Sequence, residues 1–104
     1  MAKYLFVYHG GSTPNAPEEV TQTMQAWGEW FASMGAAVSD PGNPVGLSTT
    51  VNSDGSVTHN GGSNPASGYS IIEAASAEAA IEHAQRCPIL AAGGSIELAE
   101  IIQM

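Results

Sequence analysis

The chain has 104 residues, one domain's worth (residues 1–104), and a domain of that length buries only a modest core. With 43% hydrophobic and 12% charged residues it is globular rather than disordered, and its polarity comes from Ser, Asn, Thr and Gly. Lys3 and Arg86 stand against ten acidic residues, a formal charge of −8, which excludes nucleic acid and anionic membrane surfaces as partners because both require cations to neutralise phosphate.

Residues 3–9 alternate Tyr4, Phe6 and Tyr8 with Leu5, Val7 and His9, a strand apolar on both faces, so each face needs a cover. The apolar run YLFVY is too short for a signal h-region or a spanning helix, and a soluble cytoplasmic protein is expected. HGGS at 9–12 superficially resembles the oxyanion loop of esterases. No G-x-S-x-G follows, and a strand-ending turn that uses glycine's freedom at positive φ is the better reading.

After the turn formers GGSTPNAP, Glu18 and Glu19 sit where a helix N-terminus favours negative charge. Val20, Met24, Trp27, Phe31 and Met34 then recur at helical spacing within a stripe about 80° wide. A helix over 16–35 with one buried face is predicted, ended by Gly35. Trp27 at the stripe's centre is expected in the core. Trp30, about 60° away at its edge, is expected to line a cleft or meet a partner. Gly28 hints at a close backbone approach, with chance as the rival reading.

AAVSDPGNP leads into a second extended region in which LSTTV (47–51), NSDG and SVTH (56–59) read as a β-hairpin. NGGSNPASG is a loop and residues 68–74 a strand; Ser76 caps a helix over 76–87 that Pro88 ends. After ILAAGG, the run SIELAEIIQM reads as the final strand; AAGGS within that passage is a turn, having no lysine or following helix to hold an anion. Two helices separated by strand pairs imply an α+β domain of the ferredoxin-like βαββαβ type, an antiparallel sheet with both helices on one face. The bare face would be covered by a second chain, giving a homodimer with sheets face to face.

KYLFVY, AWGEWFASMG with DPGNP, TVNSDGSVT, GYSIIEA, A-x-x-A-I-E-H-A-x-R-C-P and GGSIEL together resemble the YCII-related domain family near its DGPF branch, over nearly the whole chain. The resemblance implies a dimeric α+β barrel built on the ferredoxin-like fold. Relatives with enzyme-like features carry a histidine on the first helix, working with an aspartate. Here Met24 stands at about that place, and VTHNGGSNPASGY replaces the DGPF signature, so neither property is carried over.

His9, His59 and His83 are spaced unlike ligands, and neither a metal nor another cofactor is expected. Cys87, alone in the chain, permits no intrachain disulfide and reads as a small buried hydrophobe. Glu73 and Glu97 lie within strands and face either a pocket, where they would suit proton transfer, or water at a sheet edge. Asp40, near the Pro-Gly turn, is either a pocket acid or the acceptor of local hydrogen bonds. The candidate pocket beside the first helix is therefore lined by Trp27 and Trp30, with His9, Asp40, Glu73 and Glu97 as polar groups. Two functions fit: a homodimer that binds a small organic ligand, catalytic without a cofactor or not, and a non-catalytic dimeric accessory module acting through protein contacts.

Overall fold

The computed structural model describes residues 1–11, 16–59, 62 and 64–104; the loops expected over 10–17 and 60–68 fall partly outside them. Strand β1 (Ala2–His9) is followed by helix α1 (Pro17–Met34), a 3-10 turn (Gly35–Ala37) and β2 (Val38–Asp40). The hairpin strands β3 (Thr50–Val51) and β4 (Val57–Thr58) come next, then β5 (Ala66–Ala74), α2 (Ala77–Ala84), α3 (Pro88–Ala91) and β6 (Ser95–Glu100).

Four strands form an antiparallel sheet in the order β2-β5-β1-β6. The expected α+β class holds, and the arrangement is compatible with a ferredoxin-like fold. Both partners of β1 follow from its alternation. Tyr4, Phe6 and Tyr8 stand beside Ile72, Ser70 and Gly68 of β5 and Glu100, Leu98 and Ile96 of β6 on one face. That face meets Trp30 and Met34 of α1, Ala80 and Ala84 of α2, and Ile89 of α3 in one buried cluster. The opposite face carries Leu5, Val7, Ile71 and Ala99, none of them buried.

The hairpin forms at the expected place but as a separate two-stranded sheet, every residue of 49–59 exposed. The final strand stops at Glu100, with the last four residues irregular. No helix was expected in the passage ILAAGG. Its first residues instead complete α3, because Pro88 at the first helical position presets φ for a new helix rather than merely ending the old one.

The largest difference from expectation is the rotation of α1. The stripe from Val20 to Met34 is not the buried face: among its members only Met34 is buried, and Met24 is 70% exposed. The buried tryptophan is Trp30, 4% exposed, its ring 6.4 Å from that of Phe6, whereas Trp27 is half-buried. An indole has an N–H to satisfy when buried. Trp30 Nε1 donates to the carbonyl oxygen of His83 at 2.9 Å, which fixes α1 against the end of α2. The first two turns of α1 overhang the body with no buried residue. Gly28 has open space where a Cβ would be, so the chance reading applies there.

Trp30→Ala is expected to lower stability by about 3 to 5 kcal/mol, and Trp27→Ala by about half as much, because only the first empties a fully packed site. Urea unfolding of the two variants beside the wild type checks the order, which is the reverse of what the stripe alone predicts.

Candidate functional site

A cleft of about 1,400 Å³ runs along α1, and its aromatic wall is built from three elements. Tyr8 lies next to the last residue of β1, Trp27 and Phe31 lie on α1, and residues 41–44 form a rim beyond β2. The rings interlock edge to face: Tyr8 and Trp27 are 5.1 Å apart at 86°, and Trp27 and Trp30 are 5.6 Å apart at 84°. Such contacts orient each ring through its quadrupole and hold the wall rigid. On the other flank of α1 the lining passes Glu29, Ser33, Arg86 and Ile89.

The rim is tied to the sheet by a buried polar chain. Tyr8 Oη donates to Ser70 Oγ at 2.7 Å, and Ser70 Oγ donates to the carbonyl oxygen of Pro41 at 2.6 Å. Burial pushes the Tyr8 phenol well above its ordinary range, the Ser70 hydrogen bond opposing this only in part, so the hydroxyl stays protonated and acts as a donor. The rim then runs along β5 as an irregular edge, with Tyr69 N–H donating to Asn43 O and Val45 N–H to Ser67 O. Gly42, at φ 71°, presses so close to Tyr69 that a Cβ would lie 1.8 Å from its carbonyl oxygen, and only glycine fits.

Of the six residues singled out from the sequence, Trp27 and Trp30 line this cleft. Asp40 sits beside the rim, where its Oδ1 accepts the Gly42 N–H at 2.8 Å, the local turn bond that was one of its two expected roles. His9, Glu73 and Glu97 belong to the sheet's other face, in register with Leu5, Val7 and Ile71. Glu73 stands opposite Lys3. Buried His9 holds Nδ1 3.2 Å from Pro65 O and Nε2 2.8 Å from Glu97 Oε1. The second approach is too bent for a hydrogen bond, so this buried nitrogen has a carboxylate neighbour without being bonded to it. Glu97 itself is 72% exposed, and water screens the pair.

Reading the sequence missed Tyr8, Ser70 and the rim as parts of the site. Ser70 carried a signal: it is the polar member of the series Gly68, Ser70, Ile72, Ala74, which occupies the inward face of β5. A serine there must find partners. Burial raises the Cys87 thiol to about 11, with the Ile89 N–H opposing, so it is a packing residue rather than a nucleophile. Among the described residues no three His, Cys, Asp or Glu side chains converge, and no helix is long and apolar enough to cross a membrane.

The polar chain makes an asymmetric prediction. Tyr8→Phe removes one donor and leaves Ser70 bonded to Pro41, a loss of about 1 kcal/mol; Ser70→Ala strands both a phenol and a carbonyl and costs about 2 to 4 kcal/mol. Equilibrium unfolding of the two variants measures the difference.

A scan against protein-family models, a search of curated proteins and a search of solved structures each return no match to this chain.

Proposed function

We propose that this chain is a YCII-related domain of ferredoxin-like βαββαβ topology that acts as a homodimer and binds a small organic ligand in the cleft beside α1. The observation that carries the ligand reading is the cleft itself, walled by Tyr8, Trp27, Phe31, Pro41 and Pro44. Apolar concavities with a few placed polar groups are where proteins hold small molecules. The sheet order β2-β5-β1-β6, with a helix after β1 and another after β5, supports the topology. The lone thiol of Cys87 fits a reducing, cytoplasmic setting.

Surface area supports the dimer. A folded monomer of 10.7 kDa is expected to expose about 5,500 Å². This chain exposes 6,765 Å². Its radius of gyration is 14.9 Å, against about 13 Å for a globular domain of this length. The excess surface exceeds the roughly 800 Å² per partner of a standard interface, and Leu5, Val7 and Ile71 give the helix-free face an apolar centre.

Within the site, binding is better supported than chemistry. Tyr8, Ser70 and the Trp30 N–H already have protein partners, and the His9–Glu97 pair faces away from the cleft. A second reading, a non-catalytic module working through protein contacts, draws on the overhang of α1, where Val20 and Met24 stand exposed.

Titrating the protein with indole, benzoate and a naphthalene sulfonate while following tryptophan emission tests the ligand reading. At least one is expected to bind below millimolar Kd and to lose tenfold or more in Trp27→Ala. Three flat titrations would favour the second reading. For the dimer, sedimentation equilibrium at micromolar concentration is expected to return twice the 10.7 kDa chain mass.

A further inference from the structure

Resting on that dimer, we propose that the hairpin Thr50–Thr58, with the segment leading into it from Val45, is a dimerisation arm that docks against a second copy of this chain.

The arm is ordered without a core of its own. Asn52 N–H donates to Ser56 O at 2.7 Å, Gly55 N–H to Asn52 O at 2.9 Å, and Asp54 Oδ1 accepts both the Ser56 hydroxyl and N–H at 2.6 and 2.9 Å. Asn52 Nδ2 adds a bond to Thr58 Oγ1 at 3.2 Å. The turn is thus preformed, yet a two-stranded hairpin by itself is only marginally stable in water. Val51 and Val57 stand directly opposite each other and share one face, with Thr50 and Thr58 paired on the other. That valine pair, with Val51 70% exposed and Leu47 72% exposed just before it, is an apolar strip that no described residue of its own chain buries.

Dimensions point to a second copy as the cover. The chain measures 43 × 42 × 18 Å, and 18 Å is filled by one sheet layer and one helix layer. The arm must therefore leave in the plane of the sheet and extend past its edge instead of folding over either face. In a twofold dimer with sheets face to face, an arm leaving in that plane reaches the partner's flank, and symmetry supplies two such contacts. The contact area asks for them. Strands of three, nine, eight and six residues give the sheet a flat area of roughly 400 Å² at ~4.8 Å between strands and ~3.3 Å per residue. Even allowing for the roughness of side chains, that is short of the roughly 800 Å² of accessible surface per partner in a standard interface. With a charge of −8 on each copy, the remainder must be apolar to outweigh repulsion, as the arm's strip is.

The test compares the double variant Val51→Thr/Val57→Thr with Leu5→Thr on the sheet face. Threonine keeps the β-branched shape and strand propensity while removing the apolar surface. Sedimentation equilibrium of the arm variant is expected to give a dimer Kd at least tenfold weaker than wild type. Its thermal midpoint, measured at a dilution where wild type is monomeric, should be unchanged, which separates a lost contact from a lost fold. Wild-type dimer affinity in the arm variant, beside a weakened Leu5→Thr, would overturn the arm while leaving the dimer standing. A wild-type chain that stays monomeric through the micromolar range would remove the dimer and the arm together, and the strip would then belong to a different protein.

Discussion

The hydrogen-bonded chain from Tyr8 through Ser70 to Pro41 is the constraint on which the cleft side of the molecule rests. It joins the central strand, its neighbour and the edge segment in one relay, buried at Tyr8 and Ser70 and partly open at Pro41. The low local dielectric makes each bond strong and each broken one costly. Because the relay pins Pro41, the rim follows β5 closely enough for Gly42 to touch Tyr69, and the cleft acquires a fixed far wall. The same anchoring sets the point from which residues 45–58 leave the body. Cleft and arm thus share one foundation.

The two faces of the sheet divide the chemistry. Aromatic rings and saturated polar groups lie on the helix side. Three of the groups singled out from the sequence, His9, Glu73 and Glu97, lie on the other, so the carboxylates left along the cleft are those of α1, Glu19 and Glu29. A side chain in a strand is assigned to a face by its parity, so a single odd or even position decides which of the two environments it joins.

That parity was readable in β1, whose alternation pointed to a strand apolar on both faces; β5 was located as a strand, but the parity that turns Ser70 inward was missed. The tryptophans were not readable in the same way. The stripe through Trp27 is the widest apolar arc on α1, and hydrophobic pattern alone points it inward. The helix turns toward Trp30, whose ring packs on Phe6 and Tyr8 and whose N–H bonds to His83 O, 53 residues away, contacts that no local window contains. The cleft was half legible for a similar reason. Its helix wall came from periodicity, while its rim depends on contacts between residues 41–45 and 67–70 that only the folded chain brings together. The arm's turn was legible because Asn52, Asp54 and Gly55 act locally; its exposure was not, since no sequence pattern tells a docked hairpin from a free one.

The pairing of β1 has a consequence for how the molecule assembles in time. Its ladders join residues 2–9 to 66–74 and to 95–100, so the centre of the sheet is written at opposite ends of the described chain. Contacts of such separation close long loops before they return any stabilisation, which slows folding relative to a helical protein of equal length. During synthesis β1 leaves the ribosome well before either neighbour exists, apolar on both sides and unpaired on both edges. The interval of about 18 seconds between the end of β1 and the end of β6, at the slow elongation rate of about 5 residues per second, is the period of greatest exposure to aggregation or to capture by a chaperone.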